Sequence, residues 1–406
     1  RKKDIRRLIY SIEKSIINFL KFYKIKSKKD KKNIGIWVKN RKIAAIGLRV
    51  SKWVAYHGCS INISNNLENY LKIIPCGLDN KKVTSVFAEK NIIPKNFNNR
   101  LAKIFVLRVS ILYYKKGNHI IVSKTEHKAV LDTVADLEKK GAEVSYLDVD
   151  SEGLINLSDY EKALKETTIL VAIMWINNET GVIQNVKELS EKAYENNTPF
   201  LCDGTQAIGK LPVNMEDNKI GVLPISAHKF SGPKGVGALY IRRKNPRITI
   251  SPLITGGGQE NKLRAGTLNT PGIVGLGEAI DIAIKELEEN TKRLKFIKKE
   301  FKDFFTTYNA TFNESKDQTS AHILNITLHG IKANNLIKKT RNLSYSLGSA
   351  CTSETLDPST VLTAMGISKE SCFCSFRLSF SPEITNSDIK QVKDTFTNSL
   401  NFNNRT

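Results

Sequence analysis

Cysteine is sparse in this chain: six in 406 residues, at positions 59, 76, 202, 351, 372 and 374. None form a CxxC pair, which excludes the usual paired-cysteine zinc and redox motifs, and no metal site is expected. Cys372 and Cys374 stand one residue apart, which suits neither zinc spacing nor an easy disulfide. Such usage in a long chain points to reduced thiols and a cytoplasmic setting. No apolar run approaches the length of a membrane span, and the charged start lacks the apolar stretch of a signal peptide. The first residue is Arg1 rather than methionine, so a fragment or a processed chain is expected. Acidic residues are also in deficit, 40 Asp plus Glu against 63 Lys plus Arg, for a formal net charge of +23. Part of that excess sits in "KFYKIKSKKDKK", residues 21 to 32. The rest is scattered, with no aromatic-interleaved basic stripe of the kind that grips single strands. Nucleic acid is therefore not expected as a direct ligand, and a basic scaffold without catalysis stands as the competing class. There is no internal repeat.

What is present suffices for a large enzyme. An apolar fraction of 40% supports a real core, and the length allows two domains. The first 105 residues open with Ile5, Leu8, Ile9, Ile12, Ile16, Ile17 and Leu20 at helical spacing. "IGIWV" and "KIAAIGLRVS" then read as strands. From about residue 107 strands and helices alternate. "HIIVS", "AEVSYLDV", "TILVAIMWI", "PFLCD" and "GVGALYI" read as strands; "KAVLDTVADLEKKG" and "VKELSEKAYENN" read as amphipathic helices. This alternation predicts a parallel or mixed sheet wrapped by helices. Residues 273 to 305 read as one long helical stretch leading to an α+β C-terminal part.

Polar residues collect at the ends of the buried strands, where ligands bind in doubly wound folds. "WINNETG" offers Asn177, Asn178 and Glu179; "CDGTQ" offers Asp203, Thr205 and Gln206; "SAHK" offers Ser226, His228 and Lys229. An aldehyde cofactor with a pyridine ring and a phosphate would use such a set: a lysine for the Schiff base, an acid for the ring nitrogen, hydroxyls for the phosphate. Lys229 is then read as a buried amine, made nucleophilic by a burial-lowered pKa, rather than as a surface charge.

The stretches "SKTEHKAVLDT", "NNETGVIQ", "DGTQAIGKLPV", "SAHKFSGPKGVGALYIRR", "GGGQENKLRAGTLNTPGIVG" and "GSACTSETLDPSTVLTAMGI" follow one another in this order. From about residue 108 to the end they resemble cysteine desulfurases of the NifS/IscS type, in the class V, fold-type I aminotransferase superfamily. The resemblance implies an α/β, pyridoxal-phosphate-dependent transferase fold, with a mixed, mostly parallel sheet wrapped by helices and a small α+β C-terminal domain. It implies that Lys229 holds pyridoxal phosphate, that Asp203 pairs with the ring nitrogen, and that Asn178 and Gln206 lie by the ring and its phenolic oxygen. His127 would stack on the ring and move protons, and Ser226 and His228 would bind the phosphate. Thr267 would reach the phosphate of a partner subunit, which makes the site shared across a homodimer. Arg377 would clamp the carboxylate of L-cysteine, and Cys351 would be the mobile nucleophile. The implied outcome is alanine and a persulfide on Cys351, passed to acceptor or scaffold proteins for iron–sulfur clusters or tRNA thiolation. His119, His322, His329, Cys202, Cys372 and Cys374 are read as structural or without an assigned role.

The preceding residues follow another pattern. "GIWVKNRKIAAIGLRVSKWVAYHGCSINI" and "IIPCGLDNKKVTSV" resemble the C-terminal part of a lipoyl(octanoyl) transferase, of the α+β biotin/lipoate ligase-like fold. There Cys76 would take the octanoyl group as a thioester and Lys42 would activate it. Each resemblance lacks an upstream element: the loop that cradles the cofactor phosphate in the first family, and the "RGG…TYHGPGQ" element for the acyl chain in the second. The expectation is therefore two joined partial enzymes. Residues 1–105 form the octanoyltransferase-like fragment, 106–270 the large domain without its N-terminal segment, and 271–406 the long helix and small domain with the Cys351 loop. Cysteine desulfuration is the expected function. Octanoyl transfer from acyl carrier protein to lipoyl domains, or a truncated chimera with no activity, are the alternatives.

Overall fold

A computed structural model describes residues 117–244, 247–252, 254–347 and 357–401, together with 9–10, 13–14, 16–17, 20–21, 24–30, 34–46, 49–51, 54–56, 59–62, 82–85 and 88–89. The chain divides into two compact units, one of residues 1–97 with 252–268, the other of residues 98–251 with 269–406.

The first unit is built on a small sheet. β1 (Lys28–Lys29), β2 (Ile36–Val38) and β3 (Arg41–Ile46) pair antiparallel in that order; β4 (Arg49–Ser51) and β5 (Val54–Tyr56) form a separate two-stranded ribbon. β6 (Cys59–Ile61) and β7 (Lys82–Val83) both add to β3. Ile36, Val38, Ile43 and Ile46 pack with Ile16 and Leu20 from the helical stretch expected near the start. Ile5, Leu8 and Ile12 lie outside the described residues. At Gly35 the backbone has φ +139°, and a Cβ would stand 2.6 Å from the carbonyl oxygen of Ala44, so only glycine lets β2 turn this close to β3.

The second unit carries the expected mixed, mostly parallel sheet. Its strands are β8 (His119–Ser123), β9 (Glu143–Leu147), β10 (Thr168–Ala172), β11 (Phe200–Leu201), β12 (Val222–Ser226) and β13 (Gly237–Ile241). Their order is β13-β12-β11-β10-β8-β9, and only β13 runs antiparallel. Alternation explains how both faces are filled. Ile121, Val171 and Ile173 face one core with Tyr160, Val186 and Leu189. Ile120, Val122, Leu170 and Ala172 face the other with Val130 and Val134. The first group of helical residues comes from α2 (Leu157–Ala163) and α3 (Val186–Glu195), the second from α1 (Lys128–Glu138). All five residues of β10 are buried, which is why its sequence after Thr168 is an unbroken apolar run. His119, which the sequence left without a role, is fully buried between Thr168 and Ser145, at 2.8 and 2.9 Å, and ties β8 to its neighbours.

The stretch expected as one long helix is two: α4 (Thr270–Lys285) and α5 (Leu287–Thr306). Glu286 keeps right-handed helical angles but ends the first ladder and begins the second. α5 packs on an antiparallel sheet of β14 (Ala310–Phe312), β15 (Ile323–Leu328), β16 (Ser346–Leu347) and β17 (Ser375–Ser379), in the order β14-β15-β17-β16. The remaining helices of this unit among the described residues are α6 (Ala333–Lys339), α7 (Thr360–Ala364), α8 (Lys369–Phe373) and α9 (Asn386–Asn401). Phe305, Phe376 and Phe396 meet here with ring centroids 5.1 to 5.9 Å apart. No described helix is long and apolar enough to cross a membrane.

Candidate active site

Lys229 follows β12 in a 3-10 turn, Ala227–Phe230. Three residues per turn put Ala227 and Phe230 on one side, and both are buried, at 0% and 4% exposure. The same geometry turns Lys229 outward, and its side chain is exposed. The expectation of a buried amine is corrected on this point. Lys229 nevertheless stands near the other polar strand ends: burial is the main cause of the lowered pKa of His127, His228 and His322, and the Lys229 ammonium adds to it in each. Before it, the Ser226 hydroxyl lies 2.9 Å from His228 Nδ1. Burial, then the charges of Lys229 and Lys234, holds His228 below its ordinary value.

Asp203 follows β11, half-buried, with Oδ1 accepting the Thr205 N–H at 2.9 Å. The turn is pressed against β12: a Cβ on Gly204 would meet the Leu223 side chain at 2.7 Å. His127 comes from the end of β8, where it caps α1. Its Nδ1 accepts the Ala129 N–H at 3.2 Å, so a neutral ring carries its proton on Nε2. Burial is the main cause of its lowered pKa; Asp203 opposes and Lys229 reinforces the shift. The His127 imidazole thus lies within electrostatic reach of both the Asp203 carboxylate and the Lys229 amine.

After β10, Asn177 clamps its own loop. Its Oδ1 accepts from the Glu179 and Thr180 amides, and its Nδ2 donates to the Thr125 carbonyl at 2.9 Å, beside His127. Asn178 is half-buried, and its carbonyl accepts from Arg377 Nη1 at 2.6 Å. Arg377, on β17, also donates from Nη2 to Ser346 at 3.1 Å. Gln206 accepts through Oε1 from His322 Nε2 at 3.2 Å.

Two carboxyls here have no role assigned by the sequence, although Glu179 stands in one of its strand-end motifs. Glu126 is buried, with Oε1 bonded to the Met174 N–H and no hydrogen-bond partner for Oε2 among the described residues. Burial, and then Asp203, pushes its pKa well up. Glu179 accepts from Ser359 at 2.6 Å, and burial raises it to about 7. Only the apolar surroundings of "TEHK" and "NNETG" could have hinted that these carboxyls are enclosed.

Cys351 and Cys76 lie outside the described residues. Thr267 belongs to the first unit and is exposed. Lys42, on β3 of that unit, is 7% exposed and lies over the Trp37 ring, 5.5 Å from its centroid. Cys202, Cys372 and Cys374 are buried, and burial raises the Cys202 and Cys372 thiols.

The donor set fits pyridoxal phosphate. It offers an accessible amine at Lys229, a carboxylate at Asp203, a neutral imidazole at His127, and hydroxyl and imidazole donors at Ser226 and His228. A parallel sheet with these groups at its strand ends defines the class: fold-type I, pyridoxal-phosphate-dependent enzymes. Residues 102–392 match the family model described as aminotransferase class-V, and residues 1–106 match that of the lipoyl protein ligase A/B catalytic domain. Cysteine desulfurase IscS of Shewanella loihica is 41% identical over 293 residues, 72% of each chain. A solved structure described as a NifS-like protein superposes with a TM-score of 0.69 at 32% identity, covering 75% of this chain and 80% of its own. SspA in complex with cysteine gives 0.61 at 33%, covering 71% and 80%. The chain belongs to the class-V aminotransferase family, whose cofactor is pyridoxal phosphate, and it carries a lipoyl ligase-type segment before that domain.

Proposed function

We propose that the chain is a cysteine desulfurase: L-cysteine and the Cys351 thiol are converted to alanine and a Cys351 persulfide. The observation that carries this is the placement of His127, Asp203 and Lys229 just after parallel strands of one sheet, with His127 in electrostatic reach of the other two, in a chain 41% identical to a cysteine desulfurase. Bound pyridoxal phosphate supplies an electron sink for the substrate carbon. Lys229 would provide the amine that holds it, and Asp203 would pair with its ring nitrogen. His127 would stack on the ring and handle a proton at Nε2, and Asn178 and Gln206 would lie beside the ring. Ser226 and His228 would bind the phosphate. Arg377, steadied by the Asn178 carbonyl and Ser346, supplies positive charge for the substrate carboxylate. Cys351 acts as thiolate, the nucleophilic form. Its sulfur bonds to the substrate sulfur as the carbon–sulfur bond breaks, and acceptor proteins then take the outer sulfur. In the same reading residues 1–105, 106–270 and 271–406 are the functional divisions. The enzyme works in the cytoplasm as a homodimer in which Thr267 reaches the partner's phosphate site. The test is equimolar alanine and sulfide release from L-cysteine with a thiol reductant, run beside Cys351→Ser. Equal turnover by the two proteins would remove the proposal.

A second reading concerns residues 1–105 alone. The buried Lys42 and the lipoyl ligase match support octanoyl transfer, with Cys76 forming the thioester. Octanoyl carrier protein should then add one acyl mass at Cys76 and none in Lys42→Ala; an unmodified Cys76 dismisses it.

A further inference from the structure

A buried polar chain runs from α5 to Gln206. Lys298, 6% exposed, pairs with Glu314 at 2.5 Å and donates to the Thr319 hydroxyl and the Ser320 carbonyl at 2.9 and 2.8 Å. The Ser320 N–H donates to the Gly181 carbonyl at 2.8 Å, which fixes this residue's backbone on both sides. The Ser320 hydroxyl bonds His322 Nδ1, and His322 Nε2 bonds Gln206 Oε1 at 3.2 Å. His322 is 6% exposed, and its carbonyl accepts the Phe380 N–H at 2.9 Å.

These contacts decide the proton positions. An amide oxygen only accepts, so Nε2 must carry hydrogen. In a neutral ring Nδ1 is then the acceptor, and Ser320 spends its single hydroxyl proton on it. The ring has reason to be neutral. Burial, and then the charges of Lys210, Lys298, Arg377 and Lys229 around it, lower its pKa to about 3. With Oε1 committed to Nε2–H, the amide of Gln206 has one orientation, and its NH2 is turned away from His322.

We propose that His322 is a positioning residue: it holds the Gln206 amide so that its NH2, rather than its oxygen, is presented to the phenolic oxygen of pyridoxal phosphate. This rests on the cofactor reading above, in which Gln206 lies beside the ring. A donor there favours the anionic oxygen and sets the pH at which the bound cofactor's visible band titrates. Without His322 the amide is free to flip, and the oxygen it could present would oppose that anion.

The test compares His322→Gln with His322→Asn. Both are polar and smaller than histidine. The glutamine amide reaches about where Nε2 stands, whereas asparagine reaches only Nδ1 and so keeps the Ser320 contact but loses Gln206. The readouts are the pH titration of the visible band, pyridoxal phosphate affinity by quenching of intrinsic fluorescence, and the imidazole nitrogen shifts of labelled apoprotein. The asparagine variant should shift the band's titration by about one pH unit and weaken cofactor binding about tenfold; the glutamine variant should stay near wild type. In a Gln206→Leu background His322→Asn should add nothing. The nitrogen shifts should show hydrogen on Nε2. Equal behaviour of the two variants, or hydrogen on Nδ1, overturns the inference alone. A wild-type protein with no borohydride-sensitive band in excess cofactor removes the cofactor reading and this inference with it.

Discussion

The two sheets of the second unit divide the work differently. In the parallel sheet all strands but β13 point the same way, so β8, β10, β11 and β12 deliver His127, Asn178, Asp203 and Lys229 to one edge. The antiparallel sheet β14–β17 has no such edge. It is an aromatic core around Phe305, Phe376 and Phe396, and its contribution to the site comes through single long contacts: Arg377 to the Asn178 carbonyl and His322 to Gln206. Direction of strands, not their number, decides where chemistry gathers. The second sheet braces what the first presents.

Loss of a single side chain at the parallel sheet's edge should remove chemistry without removing stability. Lys229→Ala should lower alanine release by at least about a thousandfold and abolish the visible cofactor band with little change in unfolding midpoint. Phe376→Ala should do the reverse. It should cost about 3–5 kcal/mol in urea unfolding, because the cavity lies among rings that cannot collapse onto it. Lys298→Met, which leaves Glu314 buried and half-neutralised by the more exposed Lys302, should cost up to about 3 kcal/mol by the same measurement.

Acid and base should act on the two sheets with opposite sign. Glu179, after β10, rises from an ordinary 4.5 to about 7. The unfolded chain releases that proton first, so the stability from the protonated form is whole below pH 4.5 and is lost as pH rises through 7. His322, on the antiparallel sheet side, falls from 6.5 to about 3. Its neutral ring contributes fully above pH 6.5, and that contribution is lost as pH falls toward 3. Glu179→Gln should flatten the apoprotein's stability profile between pH 4.5 and 7. His322→Gln should flatten it between 6.5 and 3. The smallest effect belongs to exposed pairs such as Lys292–Glu288 at 2.7 Å, where Lys292→Ala should change the unfolding free energy by about 0.5 kcal/mol or less.

The parallel sheet was legible because burial on both faces writes itself as apolar runs such as "TILVA", and the helices because their faces repeat. The strand-end residues were legible for the same reason: polar groups placed just after apolar runs must lie at the sheet's edge. The outward turn of Lys229 was not, since four residues of 3-10 helix leave too short a pattern to separate from a strand's end. Nor was the division of residues 273–305 into two helices, because Glu286 keeps helical angles across the break. His322 read as structural because its partner Gln206 is 116 residues away, and no local pattern links the two. Nothing in the sequence distinguishes Glu126 beside His127, since only the fold shows that its carboxyl is sealed in.

The most direct measurement is borohydride reduction of the protein loaded with pyridoxal phosphate, followed by peptide mass mapping. A single phosphopyridoxyl group on the peptide carrying Lys229 is expected, lost in Lys229→Ala. Label spread over other lysines, or none at that peptide, would contradict the site described here.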